Sequence, residues 1–388
     1  MKPTSTDRLR GMILLSAYGD AFGAEHETKT SIHTAPFPNR LPIDNIGTGT
    51  NSWGYWVTRT EVGNSPKGIP TDDTALKLFI LHSWLKSNLE DGANFSEQSF
   101  RQFIAQLKGS NIQPAVLVSP RDDQIDSWLN MYQAAEATPP QTIDFFKPKV
   151  PVVFGFFLFL ELAVFRTDYP TVENFHFFKN ITILDQGYAK TATGFLLAIT
   201  ALAFSSDPSV QSFDAWFLSE FEKLTIELGF EEDSNQYVLT IEKIFETMSS
   251  LGDDLRGSTP HEFMVAFEQA VIESDHPPFM DQPFQQAVFD PFRMLAEMVA
   301  VVTYAEGDPH RAMQTLAFGS GDTDTVNAFL GTLMGIWFGE SLLLQNNSLN
   351  ADLKTVERVL TTVFQVNLNE HVSTFLSLRG ESNMEFFA

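Results

Sequence analysis

Apolar residues recur at helical spacing along most of this 388-residue chain, and this periodicity constrains the fold more than any other feature. Convincing two-residue alternation, the pattern of a half-buried strand, is hard to find. We therefore predict an all-α fold: a compact orthogonal multi-helix bundle, in one domain that spans 1–388. Helices are predicted near 7–24, 72–89, 96–108, 152–165, 187–204, 209–229, 235–249, 260–273, 284–305, 308–318, 323–339 and 349–366.

The segment 28–70 interrupts this pattern near the N-terminus. It is rich in Pro, Gly, Asn and Thr and shows little periodicity. A loop of this length in a compact domain is usually functional or disordered. Because it carries Trp53, Tyr55 and Trp56, we predict a folded irregular loop and a candidate lid over a site.

Two acidic strings, far apart in the chain, each begin a predicted helix. Thr71 to Thr74 reads Thr-Asp-Asp-Thr, and Asp322 to Thr325 reads Asp-Thr-Asp-Thr. Either string alone also fits an ordinary helix N-cap. If the fold brings both helix starts together, four carboxylates share one small volume, which requires cations between them. Carboxylate and hydroxyl ligands suit Mg²⁺, Mn²⁺ or Ca²⁺ rather than zinc.

The predicted helix after the second string carries Gly331, Gly335 and Gly339 at four-residue spacing. One face of this helix therefore lacks side chains and allows another helix to approach closely. This pattern favours tight packing that holds the second string on a rigid, buried element.

The net charge of -24 excludes several classes of partner. It argues against a nucleic-acid-binding surface and against adhesion to an anionic membrane, because no basic stripe is present. An acidic field instead concentrates divalent cations and attracts basic protein surfaces. The most apolar stretch, 150–165, is too short to span a bilayer, and no signal-peptide pattern is found. We therefore expect a cytoplasmic protein with no membrane association.

Other catalytic patterns are missing from the sequence. With no cysteine, disulfides, thiolate nucleophiles and Cys-ligated zinc are excluded. The chain also lacks a His-Glu-x-x-His zinc string, a Gly-x-Ser-x-Gly elbow and the Gly-rich phosphate-binding loops. One further carboxylate pair, Asp253 with Asp254, follows Gly252 and is predicted to form a solvated turn.

A third motif lies in the first predicted helix, where 19–23 reads Gly-Asp-Ala-Phe-Gly and Glu27 follows. In order and spacing, this motif and the two acidic strings resemble the ADP-ribosylglycohydrolase family, which includes the dinitrogenase reductase-activating glycohydrolases. Members carry Thr-Asp-Asp-Thr and, near the C-terminus, Gly-Gly-Asp-Thr-Asp-Thr; here 319–325 reads Gly-Ser-Gly-Asp-Thr-Asp-Thr. The motifs that carry the resemblance lie between about residue 9 and about residue 340, near the two ends of that range.

The resemblance implies an all-helical protein with two Mg²⁺ ions, or Mn²⁺ in their place, in a cleft. Glu27 and Asp324 are the candidates for the catalytic base. Asp185 and Tyr188, in a string similar to a Gly-Tyr turn of some members, are candidates for substrate binding. By position, the implied metal ligands are Thr71, Asp72, Asp73, Asp322, Asp324 and Thr325. The middle of the chain departs from the family, which has Asn-Gly…Met-Arg…Pro and Thr-His strings there.

Two functions from different classes follow. The resemblance implies a hydrolase that removes ADP-ribose from a modified protein side chain or a related ADP-ribosyl conjugate. The alternative is a protein-binding antagonist or immunity factor that blocks a basic ADP-ribosylating toxin, with or without hydrolase activity. The acidic charge and the aromatic loop motivate this alternative.

Overall fold

The computed structural model describes residues 2–23, 70, 73, 74, 77, 78, 81, 84, 161–181, 188–229, 235–273, 290–319, 322–362, 364 and 366–379. Every regular element in these ranges is a helix, which confirms the predicted all-α class. The α-helices are α1 (Ser5–Gly23), α2 (Thr171–Ile181), α3 (Tyr188–Ser205), α4 (Phe213–Gly229), α5 (Asn235–Asp254), α6 (Pro260–Glu273), α7 (Pro291–Tyr304), α8 (Pro309–Leu316), α9 (Thr323–Leu343), α10 (Asn347–Thr362) and α11 (Leu368–Leu378). A 3₁₀ helix, Leu162–Arg166, precedes α2.

Several predicted boundaries need correction. Helix α7 begins at Pro291 rather than near 284, because Asp290 has extended backbone and its carboxylate accepts the N–H groups of Phe292 and Arg293. Helix α4 begins at Phe213 rather than at 209, since a turn precedes it. Helix α10 ends at Thr362 rather than at 366. The described end of the predicted 152–165 helix is a 3₁₀ turn.

Two helices, α2 and α11, were not predicted. Helix α2 buries Phe175, Phe178 and Ile181, which recur at three-residue spacing among polar residues. Helix α11 is capped by Asn367, whose side chain accepts the N–H of Glu370. An N-cap residue before an apolar-periodic run was the signal available in the sequence for α11.

Other predictions concern surface turns and segments beyond the described ranges. Asp253 and Asp254 are exposed, as expected for a solvated pair. They lie in the last turn of helix α5, however, and not in a turn between helices. The loop predicted at 28–70, apart from the buried residue Pro70, and the helix predicted at 96–108 lie outside the described residues. The single domain over 1–388 stays a prediction.

Helices α1 and α9 form an antiparallel central pair that is buried on nearly every side. Their backbones touch at intervals of four residues. As the residue number rises along α1, the number of its contact on α9 falls. Any Cβ added at one of these glycines would overlap the backbone of the other helix. The contacts join Gly11 with Gly335, Leu15 with Gly331, Gly19 with Asn327, and Gly23 with Thr323. The predicted close packing of the glycine face is therefore confirmed, and it extends to glycines of α1.

The last glycine of the predicted series has a different role. Gly339 has φ +67 and interrupts α9 with a kink, and a Cβ there would meet Pro3 and Asp7, so the close contact with α1 continues to the start of α1. Helices α3 and α9 are long and apolar enough to span a membrane by length and composition, but 78% of the apolar stretch of each is buried inside the protein. Core helices pass the same test.

Arg8 on α1 is hydrogen-bonded to the C-terminal end of α3. Its buried guanidinium donates to the carbonyls of Ala203 at 2.9 Å, Ser206 at 2.6 Å and Ile336 at 3.3 Å. The last carbonyls of a helix lack partners within the helix and carry its negative dipole end. Burial lowers the pKa of Arg8 from its usual value, with the charge of Asp207 opposing the shift.

We expect Arg8→Met to lower the free energy of unfolding by about 2 kcal/mol, because three buried carbonyls lose a charged donor. Thermal denaturation of the full chain measures this. Arg358→Met, an exposed arginine of α10, is the control and should shift the midpoint little. Equal midpoints for both variants would contradict the proposed role of Arg8.

Candidate functional site

The two acidic strings meet at the centre of the protein. The hydroxyl of Thr325 donates to Oδ2 of Asp73 at 2.9 Å, across 252 positions of sequence. Both side chains are buried. Asp73 is helical, as are Thr74 and Lys77 after it, and Thr325 lies in the first turn of α9. The fold therefore brings together the two helix starts on which the sequence prediction depended.

The C-terminal half of α1 completes this meeting point. Oδ2 of Asp20 accepts the backbone N–H of Thr74 at 2.9 Å. The hydroxyl of Thr323 donates to the carbonyl of Gly23 at 2.8 Å. Because the glycine contacts keep α1 and α9 close and antiparallel, the end of α1 lies against the start of α9. The third motif of the sequence thus joins the two acidic strings.

Asp322 distinguishes the capping interpretation from the site interpretation. It occupies the N-cap position of α9, yet its side chain makes no capping hydrogen bond to the helix. Asp290 and Asp308, by contrast, both accept backbone N–H groups at the starts of α7 and α8. Asp322 is therefore buried in the N-cap position, and its carboxylate lies near Thr325 without the capping geometry of Asp290 and Asp308.

Four buried carboxylates belong to this region, those of Asp20, Asp73, Asp322 and Asp324, and each is at most 7% exposed. Burial raises the pKa of Asp322 to about 6. Its contacts with Asp324 and Thr325 oppose that shift, and the charge of Asp20 reinforces it. A buried acid with a raised pKa costs free energy when it ionises, unless positive charge is added. Positive charge placed beside this carboxylate would remove that cost.

A buried lysine follows the first acidic string. Lys77 follows Asp73 by four positions, and its ammonium donates a short hydrogen bond to the hydroxyl of Ser16 on α1. Glu161 is buried near it: burial raises the pKa of Glu161 to about 7, while the charge of Lys77 acts to lower it. Lys77 thus supplies positive charge at the base of the first string.

A second charged cluster lies behind Asp322, on α6 and α7. The guanidinium of Arg293 pairs with the carboxylate of Glu268, and both are buried. Burial raises the pKa of Glu297 to about 8, with Arg293 opposing and the charges of Glu268 and Asp322 adding to the shift. Glu297 therefore adds a carboxyl that favours its neutral form at neutral pH.

The donor set is compatible with a hard divalent cation. Asp73, Asp322, Asp324 and Thr325 offer carboxylate and hydroxyl oxygens, which are the ligands of Mg²⁺. Within the described part of the chain, no three acids or histidines are grouped closely enough to hold a metal ion. Thr71 and Asp72 lie outside the described residues, so the implied set is only partly visible. The visible oxygens fit such an ion in chemistry and charge.

The remaining predicted residues are less directly placed. Glu27 and Asp185 lie outside the described residues. Tyr188, the first residue of α3, donates from its hydroxyl to Oδ2 of Asp290 at 2.5 Å and packs against Phe292. Burial is the main cause that raises the pKa of Tyr188. The described contacts of Tyr188 are with these residues and Tyr237, not with the acidic strings.

The site contains residues that the sequence prediction did not select. Asp20 was visible in the Gly-Asp-Ala-Phe-Gly motif, but no role was assigned to it. Lys77 and Ser16 gave no signal, since a lysine and a serine in helices are ordinarily surface residues. Only the packing of the first string against α1 shows that both are buried.

One comparison with known proteins matches the N-terminal part of the chain to a family. The ADP-ribosylglycohydrolase family model matches residues 1–141, which confirms the resemblance over the part of the chain that holds the first-helix motif and the first acidic string. One similar solved structure is described as an ADP-ribosylglycohydrolase-related protein complex, with 18% identity and a TM-score of 0.49. The match covers 97% of this chain and 99% of that one. A search of curated proteins found no match.

Proposed function

We propose that this protein is a metal-dependent glycohydrolase that removes ADP-ribose from a modified protein side chain or a related ADP-ribosyl conjugate. The observation that carries the proposal is the hydrogen bond between Thr325 and Asp73. It joins a string within the family match to a second string outside that match. A structural helix start gains nothing from buried acids of another helix, whereas a cation site requires them.

Two Mg²⁺ ions would be held by Thr71, Asp72, Asp73, Asp322, Asp324 and Thr325, and Mn²⁺ would suit the same oxygens. When bound, such ions orient ribose hydroxyls and polarise a water molecule. The chain itself supplies positioning: the hydroxyl of Thr325 fixes Asp73, and the N–H of Thr325 fixes Oδ1 of Asp324 at 2.9 Å.

The reaction is hydrolysis at the anomeric carbon of the ribose. Water adds to that carbon, the bond to the protein side chain breaks, a carboxylate takes a proton of the water, and the released side chain takes up a proton. Asp324 and Glu27 are the two candidates for this base. Nearby carboxylates also stabilise the positive charge that develops on the sugar. Tyr188 and Asp185 are proposed to contact the substrate.

The test is release of free ADP-ribose from arginine-, serine- and nucleic-acid-linked substrates, each with Mg²⁺ and with a chelator. We expect release from at least one protein-linked substrate with Mg²⁺, and its loss on chelation. Mn²⁺ should restore activity to the chelated protein. Absence of release from every substrate would contradict the proposed hydrolase, and equal release with chelator would contradict the metal centre.

A second candidate is supported by the net charge of -24. An acidic surface suits the binding of a basic ADP-ribosylating toxin, and such blocking needs no metal. The measurement is inhibition of a purified basic toxin by the wild type and by Asp322→Asn. Equal inhibition by both proteins would support an antagonist, whereas inhibition lost with the variant would assign protection to hydrolysis.

A further inference from the structure

We propose that Asn327 and Thr74 act together behind the acidic strings, and that their polar groups position the carboxylates when the cation binds. This inference rests on the proposed metal centre. Neither residue is an implied metal ligand. Both are positioning residues, acting through Asp20 and the first turn of α9 rather than on the substrate.

The first observation is that the side-chain polar atoms of these two residues have no hydrogen-bond partner among the residues that the structure describes. The side chain of Asn327 is completely buried, and neither its Nδ2 nor its Oδ1 bonds to a described residue. The hydroxyl of Thr74 is also buried and bonds to none of them. Nearly all buried polar groups in folded proteins are paired, because an unpaired one costs about 1–3 kcal/mol. These unpaired groups therefore require an explanation.

The second observation is their common location on α1. The backbone of Asn327 touches Gly19, and the backbone N–H of Thr74 donates to Asp20, the next residue. The two residues therefore contact adjacent residues of α1, although they belong to two different segments of the chain. The same turn of α1 carries Asp20, one of the four buried carboxylates of the site. Asn327 also lies three positions after Asp324, and so about one helical turn from it on α9.

The chemistry of an amide and a hydroxyl fits this role. Each can donate to a carboxylate oxygen, and each can accept from a water molecule. When a cation draws carboxylates toward itself, their remaining oxygens need donors that fix their orientation. Groups that orient metal ligands in this way typically affect metal affinity 10- to 100-fold. The glycine at position 19 is required here because it lets Asn327 reach this turn of α1.

The experiment measures Mg²⁺ binding to the metal-free full-length protein by isothermal titration calorimetry, together with thermal denaturation in chelator. Asn327→Leu removes both polar atoms at similar size, and Thr74→Val removes the hydroxyl at the same shape. We expect each variant to bind Mg²⁺ roughly 10- to 100-fold more weakly. In chelator, each should be as stable as the wild type or more stable, because an unpaired buried group has been removed.

The double variant tests whether the two groups act as one unit. We expect its Mg²⁺ affinity to resemble that of the weaker single variant, since residues in one network are not additive. Fully additive losses would contradict a shared role. The control is Thr332→Val on α9, whose hydroxyl already donates to the carbonyl of Ala328 at 3.0 Å. It should leave Mg²⁺ affinity unchanged.

The outcomes separate this inference from the proposed function. A wild type that binds no Mg²⁺ would refute the metal centre and the inference with it. A wild type that binds Mg²⁺, with variants that bind it equally well, would refute the inference alone. Should Asn327→Leu fail to fold, Thr74→Val decides, because replacing its hydroxyl by a methyl group keeps the shape of the side chain.

Discussion

Asp322→Asn should reduce Mg²⁺-dependent release of ADP-ribose on the order of a thousandfold, while the protein remains folded. The amide keeps the size of the side chain but removes the charge of a proposed ligand. Metal ions typically supply several kcal/mol of transition-state stabilisation, which corresponds to a factor of this size. Initial rates at saturating Mg²⁺ measure the loss, and circular dichroism checks the fold.

For the stability of Asp322→Asn in chelator, we expect no loss, in contrast to its loss of activity. Burial raises the pKa of Asp322 to about 6, above its ordinary value, so ionisation at neutral pH costs the folded state free energy. This cost grows as the pH rises above the unfolded value and is absent below it. Asp322→Asn removes the cost. Its denaturation midpoint in chelator at pH 7 should therefore equal or exceed that of the wild type.

Mg²⁺ should then raise the midpoint of the wild type but not that of Asp322→Asn. The matched control is Asp254→Asn, which removes one carboxylate from the exposed last turn of α5. It should retain full activity and the full response to Mg²⁺. An Asp322→Asn protein that kept normal turnover would show that the second acidic string is a structural helix start.

The sequence predicted the helices with clear periodicity and failed where the pattern was short or interrupted. Helices α3 and α6 were located to within one residue because long apolar runs define them. The start of helix α7 was predicted several residues too early, because the N-cap at Asp290 sets the first residue of the helix. Helices α2 and α11 have eleven residues each, and polar residues separate their apolar positions.

The site was predictable in its ligand types but not in its supporting residues. The residue types of the two acidic strings predict metal ligands directly. Asp73 and Thr325 were therefore predicted as ligands, and the fold places them in contact. Lys77 and Asn327 are conspicuous only because they are buried, and burial depends on how α1 and α9 pack. Contacts between helices far apart in sequence are not determined by local pattern.

Gly335→Ala should lower the free energy of unfolding by at least about 2 kcal/mol, although alanine is the better helix former. A Cβ at this position would lie closer than 3.0 Å to backbone atoms of Gly11 and Met12. Backbone atoms cannot rotate away as a side chain can, so α1 and α9 must separate. Overpacking of this kind costs about 1–3 kcal/mol or more, which exceeds the gain in helix propensity of about 1 kcal/mol.

Chemical denaturation of the full chain measures this effect, with Gly229→Ala as the matched control. Gly229 ends α4, is exposed, and a Cβ there would meet no atom of the described residues within 4 Å. The control should therefore be neutral or slightly stabilised. Because the same contacts hold the end of α1 against the start of α9, Gly335→Ala should also weaken Mg²⁺ binding. If Gly335→Ala were as stable as the control, backbone contact between α1 and α9 would not be what holds the acidic strings together.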